Sequence, residues 1–385
     1  MKVLMLTQYI TVGGLERMIF LLSRELKRAH QLDVTVFSYD TKPTDPQALA
    51  NELKREGVTV RLEPKGPGFS PATVRHIAEV LRRDKPEVMH THDMGALVYG
   101  VLAKWFARSK VRIVHTQHSF IHITRSWKYS IYEKIFTRAV DRVVVVDEGL
   151  IAGYEKLRIP TGEILTIHNG VAFPNARVTA SQRLDARRKL FTGALASAGL
   201  PESAIGDRWI LSLARVHPRK GQDHVVALWN ELPEETRARA RVFLVGPETF
   251  PGERDRILKA IAVAKNPERL HMPGITSEPE LWLAASDVYV SGSEYEGLPL
   301  GPIEAIGAGL PTVLSEIEGH QRLAGDAELY PLADPAVGAR KLAATLRRAE
   351  SGEEFFERQW AATQSMRERF SIGRMATDYL TKAYV

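Results

Sequence analysis

Two carboxylates, Glu296 and Glu304, flank a Gly/Pro-rich run in SEYEGLPLGPIEAIGAGLP (293–311), with seven residues between them. The spacing predicts a turn that runs into a helix. Gly297 and Gly301 have no side chain to hold a ligand away from the backbone, and Pro302 suits a first helical turn, where a missing N–H costs nothing. The N–H groups and positive dipole end at 300–303 would attract an anion such as a phosphate. Glu304 would repel that anion, so it should face a neutral polyol, from which a carboxylate can accept two hydroxyl hydrogen bonds at once. The site expected here binds phosphate and sugar together.

The arrangement resembles the E-x7-E signature of retaining nucleotide-sugar glycosyltransferases with the GT-B fold, in particular their family 4. The resemblance implies that Glu296 contacts the donor sugar and Glu304 holds the ribose, with Gly297, Leu298, Pro299 and Leu300 in the donor-binding turn. In LARVHPRKGQD, Arg215 and Lys220 flank a turn leaving a strand, close to the family's Arg-x4-Lys-Gly pattern. Loss of a nucleoside diphosphate builds negative charge as the glycosidic bond breaks, and two cations at a strand end can stabilise it without a metal.

Gly13 and Gly14 in QYITVGGLERM fall between the first strand and the first helix, where backbone N–H groups could hold the donor diphosphate or the acceptor. The pattern is not the G-x-G-x-x-G of nicotinamide-binding folds. Histidines form a further group: His90 and His92 in EVMHTH, then His115, His118 and His122 in VHTQHSFIH. Strand alternation would put His90 and His92 on one face, as zinc ligands require, but no H-E-x-x-H or comparable signature accompanies them, and no metal is expected. By resemblance His118 is the residue at the edge of the fourth N-terminal strand that bonds donor-sugar hydroxyls. The others read as polar strand ends. NGV (169–171) looks like the family's element before the interdomain connection. Gly246 in FLVGP and Pro273–Ile275 end strands where, by resemblance, the nucleotide base lies against backbone. Glu318 and His320 depart from the family's Gly-Gly-x-x-Glu pattern, and no role is read for them.

These residues need elements to position them. Short β-branched runs (KVLMLT, DVTVFS, VTVRLE, EVMHTH, VRIVHTQ, DRVVVVD, EILTIHN) alternate with helical patterns, among them 15–28, 71–83 and a helix from about 125, which predicts a parallel sheet covered on both faces. After an irregular stretch, 173–206, taken as a linker region, the alternation resumes in RWILSLARV, RVFLVGP, RLHMPGI, DVYVSGS and PTVLSE. The fold class expected is α/β: two doubly wound, Rossmann-like domains, 1–172 and 207–365, facing across a cleft as in GT-B enzymes. By the same resemblance 366–385 crosses back to the first domain, and domain closure excludes water from the donor.

A chain of 385 residues exceeds the size at which single cores stop growing, and its 44% apolar and 25% charged residues are those of a soluble globular protein. There is no cysteine, so disulfides and thiolate metal sites are excluded and a reducing, cytoplasmic compartment fits. MKVLMLTQYI is too short an apolar run for a signal peptide, and no later stretch reaches the roughly 18 apolar residues of a membrane span. Residues 1–172 hold 25 Lys/Arg against 18 Asp/Glu; residues 173–385 hold 27 against 28. The basic half points to an anionic partner, and with no zinc-finger, helix-turn-helix or RNA-recognition signature, a membrane surface or phosphorylated lipid is preferred to nucleic acid. RSWKYSIYEKIFTR (125–138) has the composition of a helix lying at a bilayer interface, and equally of one packing its aromatics on the sheet.

The resemblance implies a retaining transferase that moves a sugar from a UDP-, GDP- or ADP-linked donor to a glycan or lipid-linked acceptor, as in bacterial cell-surface polysaccharide assembly. No cofactor beyond the donor substrate is expected, and the basic N-terminal half suits a cytoplasmic enzyme that meets its acceptor at the inner membrane face. The rivals are another GT-B enzyme, such as a sugar-nucleotide epimerase or a phosphorylase, and a non-catalytic nucleotide-sugar or glycan-binding protein.

Overall fold

The computed structural model describes residues 1–10, 14–39, 47–119, 127–159 and 164–385. It divides into two compact units, Met1–Ala172 with Phe370–Val385, and Phe173–Arg369.

The first unit is built on a seven-stranded, all-parallel sheet of β1 (Lys2–Thr7), β2 (Asp33–Ser38), β3 (Thr59–Leu62), β4 (Val88–His92), β5 (Arg112–Gln117), β6 (Arg142–Val145) and β7 (Ile164–Thr166), in the order β3-β2-β1-β4-β5-β6-β7. The central strands are apolar or buried along their length because helices cover both faces. On one face, helix Gly14–Arg28 buries Met18, Ile19, Leu22 and Leu26, a stripe at three- and four-residue spacing, against Val3, Met5, Val34 and Val36. On the other, helices Pro71–Asp84 and Asp93–Ala107 cover Leu4, Leu6, Met89 and Ile113.

The C-terminal segment completes the first of these faces. Helix Ile372–Asp378 is capped by Ser371, whose hydroxyl accepts the Arg374 N–H, and places Met375, Ala376, Tyr379 and Tyr384 in the core. Gly170 makes the junction possible: a Cβ there would stand 2.7 Å from Ile372 Cα. Val171 N–H donates to the Phe370 carbonyl at 2.8 Å and Ile372 N–H to Val171 at 3.1 Å. The Asn-Gly-Val element is therefore needed for close approach of two backbones. The returning segment begins at 370 rather than 366.

The second unit has six parallel strands, β8 (Arg208–Leu213), β9 (Ala240–Val245), β10 (Leu270–Gly274), β11 (Val288–Ser291), β12 (Thr312–Ser315) and β13 (Glu328–Tyr330), ordered β10-β9-β8-β11-β12-β13. Helices Gln222–Glu231 and Pro335–Ala349 bury Val225, Leu228, Trp229, Leu342 and Leu346 on one face. Trp209, Phe243 and Trp282 pack as an aromatic cluster, with ring centroids 4.4 Å apart for Trp209–Phe243 and 5.4 Å for Phe243–Trp282.

Residues 173–206 are not a linker; they belong to this second unit. Helix Ala180–Thr192 opens with a capping box between Thr179 and Gln182. Its Arg187 is buried over the Trp209 ring and donates to Asp287 Oδ2 at 2.6 Å, while that oxygen also accepts the Trp209 N–H at 2.7 Å. The helix carries three arginines, Arg183, Arg187 and Arg188. Two of them, Arg183 and Arg187, are buried and hydrogen-bonded, as a buried cation must be.

Candidate functional site

In the second unit the site grows from two interlocked loops at the carboxyl ends of β8 and β11. After β8 the chain passes Arg215 and makes a short turn, Pro218–Lys220, stabilised by His217 Nδ1 accepting the Arg219 N–H at 3.1 Å. It leaves through Gly221 in a left-handed conformation (φ 57°). A methyl group at Gly221 would overlap the Gly292 carbonyl, and one at Gly292 the Gly221 carbonyl. Two glycines thus let the loops touch backbone to backbone, and the contact delivers Lys220 to Glu296.

Lys220 Nζ donates to Glu296 Oε1 at 2.6 Å and Oε2 at 2.7 Å, and Ser293 Oγ donates to Oε1 at 2.8 Å. Ser293 is held in turn through its backbone carbonyl, which accepts Ser315 Oγ–H at 2.6 Å, and Ser315 lies against buried His320. His320 Nδ1 is 2.8 Å from the Ser315 carbonyl, and burial lowers the imidazole pKa. Gly319 admits the backbone of Glu296; a Cβ there would be 2.5 Å from its carbonyl oxygen. Gly319 and His320 therefore support Glu296, a role the departure from the family pattern had hidden, while exposed Glu318 pairs with Arg322 at 3.6 Å.

Arg215 is exposed, and its guanidinium has no hydrogen-bond or ion-pair partner among the described residues. Burial, and then the positive charges of Arg215, Arg219 and Lys220, depress the His217 pKa, so this loop concentrates cationic field. Helix Leu300–Gly307 follows the Glu296 loop, and the Ile303 N–H donates to the Pro299 carbonyl at 3.0 Å, leaving the amides of Leu300 and Gly301 ahead of the helical ladder. Glu304 is half-buried in this helix. Buried Tyr289 stands beneath: burial, then the carboxylates of Glu296 and Glu304, push its phenol pKa up, and its hydroxyl donates to the Leu213 carbonyl at 3.2 Å. Both carboxylates of the pair therefore lie close to one tyrosine.

Several expected roles change. Gly301 does not open the backbone to a ligand, because a Cβ there would be 2.6 Å from Tyr289 Oη and 2.8 Å from the Leu213 carbonyl; the protein itself fills that space. Gly246 (φ 150°) likewise makes room for the Ala214 carbonyl, which steers the chain toward Arg215. Gly297 has open space at its Cβ position, with Leu298 half-buried and Pro299 buried beside it. Ile275 is exposed just past β10.

In the first unit Gly14 begins the helix after β1, and Gly13 and His122 lie outside the described residues. His118 follows β5, the fifth strand rather than the fourth, and its Nε2 is 3.3 Å from His92 Nδ1. Burial, and then His115, lower its pKa to about 3, so it is a neutral hydrogen-bonding group. His90 is committed to structure, with Nδ1 2.8 Å from Tyr384 Oη and Nε2 2.7 Å from Thr116 Oγ1. Asp93, unmarked in sequence, directly follows β4 beside these histidines; its one signal was an acidic residue directly after HTH. Asp147, Glu148 and His168 form the one cluster with metal-ligand spacing among the described residues, but Asp147 caps the Gly149 N–H at 2.8 Å and Glu148 is exposed, so no metal is assigned there.

The helix Trp127–Phe136 is inverted relative to an ordinary amphipathic helix. It exposes Trp127, Tyr129, Ile131, Tyr132 and Ile135 and buries Glu133, against Tyr154. Trp127, Tyr129 and Tyr132 do not pack on the sheet.

Residues 12–173 match the family model described as Glycosyltransferase Family 4, and residues 201–366 match Glycosyl transferases group 1. The chain belongs to glycosyltransferase family 4. This glycosyltransferase is 24% identical over 322 residues to the putative glycosyltransferase EpsF of Bacillus subtilis (strain 168), across 79% of this chain and 76% of that protein. It is 24% identical over 354 residues, 86% of this chain and 80% of the other, to the GDP-mannose:cellobiosyl-diphosphopolyprenol alpha-mannosyltransferase of Komagataeibacter xylinus. The crystal structure of Anabaena HepE in complex with UDP and glucose superposes with a TM-score of 0.79 at 16% identity, covering 99% of this chain and 98% of that one. The glycosyltransferase therefore has the GT-B fold of two doubly wound α/β units.

Proposed function

We propose that this glycosyltransferase moves a sugar from a nucleoside diphosphate sugar to a hydroxyl of a glycan or lipid-linked acceptor, with retention of anomeric configuration and without a metal. The observation that carries the reading is the cation pair of the β8 loop: Arg215 without a partner among the described residues and Lys220 held by Glu296. A diphosphate draws on both cations and on the amides at the start of helix Leu300–Gly307. Glu296, released from Lys220, accepts donor-sugar hydroxyls, and Glu304 accepts those of the ribose. The β-phosphate then leaves against Arg215 and Lys220, and a departing diphosphate oxygen takes the proton of the acceptor hydroxyl that attacks on the same face. HepE crystallised with UDP, and the Komagataeibacter relative is named for GDP-mannose; both support a nucleoside diphosphate donor and leave the base open.

The acceptor reading rests on the inverted helix. Its outward aromatics, with Trp105 and Phe106 of the neighbouring helix and basic Lys128 and Lys134, suit an anionic bilayer, and support the reading of an enzyme that works peripherally at the cytoplasmic face. The relative named for a diphosphopolyprenol acceptor supports a lipid-linked intermediate of surface polysaccharide assembly.

A panel of UDP-, GDP- and ADP-sugars tests the donor: one should raise the melting temperature, and free nucleoside diphosphate should form with retained activity in EDTA. No shift from any donor defeats the reading. Flotation with anionic liposomes tests the acceptor side, and equal recovery of wild type and Trp127→Ala/Tyr132→Ala defeats it.

A further inference from the structure

Strand β4 passes into helix Asp93–Ala107 with no residue between them. The chain makes that turn at Asp93, whose φ of 62° is a left-handed conformation that a non-glycine residue adopts at an energetic cost. The carboxylate accepts the His118 N–H, which ties the end of β4 to the end of β5. Burial first, and then the neighbouring Glu16 and Glu133, push its pKa up to about 6, against the opposing pull of His115 and the His118 amide.

The location is specific. Strand order reverses between β1 and β4, and doubly wound sheets bind ligands outside the strand carboxyl ends at such a reversal. Glu16 comes from the first helical turn after β1, Asp93 from the end of β4 and His118 from the end of β5. Two acidic groups with neutral imidazoles repel a phosphate and accept hydroxyl protons. Strain and a perturbed carboxyl group coincide where function is expected.

We propose that Asp93 is an acceptor-binding residue, whose carboxylate takes hydrogen bonds from the hydroxyls of a neutral sugar ring seated at the carboxyl ends of β4 and β5. This rests on the transfer reading above. Asp93 binds the ring that carries the attacking hydroxyl; in the transfer proposed above, the hydroxyl oxygen forms the new bond to the anomeric carbon as the bond to the diphosphate breaks, and the hydroxyl proton goes to the departing diphosphate oxygen. The acceptor ring is uncharged, because a uronate or phosphosugar would meet Asp93 and Glu16 together.

The test uses the full chain and methyl glycosides of glucose, galactose and mannose as probes in saturation-transfer NMR, with UDP and GDP binding measured by calorimetry. Wild type should bind at least one glycoside. Asp93→Asn keeps the shape and tolerates the left-handed backbone, and it should weaken that glycoside about ten-fold or more while leaving nucleoside diphosphate affinity unchanged. Asp93→Gly relieves the backbone strain and should lose the glycoside signal with no fall in melting temperature, which a purely structural aspartate would not allow. Crystals soaked in the bound glycoside should show a hydroxyl within hydrogen-bond distance of Asp93. Failure of every glycoside to bind, equal binding by wild type and Asp93→Asn, or a soaked ring placed elsewhere overturns the proposal. Absent nucleoside diphosphate binding would defeat the donor reading instead.

Discussion

Lys220 Nζ sits 2.6 and 2.7 Å from the two carboxylate oxygens of Glu296, whereas Arg215, five residues before Lys220, keeps its guanidinium free of any ion-pair partner among the described residues. One cation of the loop is thus ready for an anion, and the other must exchange a carboxylate for it. The three variants of this trio should therefore differ. Arg215→Ala and Lys220→Ala each remove a charge that strengthens as the diphosphate leaves, and kcat/KM should fall about 10²- to 10³-fold, roughly 3–4 kcal/mol of transition-state stabilisation. Glu296→Gln should also transfer poorly, yet bind free UDP or GDP as tightly as wild type or tighter, because no carboxylate competes for Lys220. Calorimetry beside steady-state kinetics separates the cases; weaker diphosphate binding by Glu296→Gln would count against the exchange.

The same trio depends on backbone contact between Gly221 and Gly292. Gly221→Ala places a side chain at positive φ and against a carbonyl that has nowhere to move, so the loops must part. A loss of about 2–4 kcal/mol is expected, combining left-handed strain and overpacking. Activity should fall as far as in Lys220→Ala even where the protein remains folded. Urea unfolding and transfer assays at a temperature well below the new midpoint check both parts, and an active, fully stable Gly221→Ala would show that the interlock is dispensable.

How far the sequence carries can be judged from these residues. The strand–helix alternation and the two loops that carry Arg215, Lys220 and Glu296 are local signals, legible as β-branched runs, glycines and charges at fixed spacing. Which glycine serves a ligand and which serves packing is a tertiary fact: Gly297 and Gly301 look alike in sequence, but Tyr289 and Leu213 occupy the space over Gly301. The stretch 173–206 reads as a linker because the partners of Arg183 and Arg187, namely Trp209, Ala285, Ser286 and Asp287, lie outside it in the chain. Asp93 was invisible for another reason. Positive φ has no one-letter signature unless glycine supplies it.

Acid should destabilise the first unit. His90, His92 and His118 are all held below the ordinary histidine pKa of 6.5, chiefly by burial, and His118 titrates at about 3. Their stabilising contribution is complete above pH 6.5, the unfolded value, and is lost as pH falls toward the folded values, at about 1.4 kcal/mol per pH unit for each proton the unfolded chain takes up first. Asp93 acts in the opposite sense: its raised pKa favours the fold below the unfolded carboxyl value and ceases to help as pH rises through about 6. One carboxyl against three imidazoles leaves a net loss between pH 6.5 and 4.5. Unfolding free energies across that range should show His118→Asn with a slope shallower by about one proton, and an unchanged slope would mean His118 is charged in the folded protein.

Tyr384 is where the chain's end is committed to the first unit. Its hydroxyl meets His90 Nδ1 at 2.8 Å, and Tyr379 meets Thr116 Oγ1 at 2.9 Å, so the returning segment pairs with polar groups of β4 and β5 that are otherwise sealed from water. Tyr384→Phe leaves the ring packed but removes one of the two partners of a fully buried imidazole. The cost should be about 1–3 kcal/mol, more than an exposed hydroxyl would give, because His90 has no water to turn to. Deleting 371–385 is a larger loss: two tyrosines and Met375 leave the core along with both hydrogen bonds, several kcal/mol in total, which matches the stability of a typical domain. The shortened chain should show a first unit that binds dye and is cut early by protease, while the second unit still binds UDP or GDP. Loss of nucleotide binding alongside would show instead that the second unit cannot stand without its neighbour.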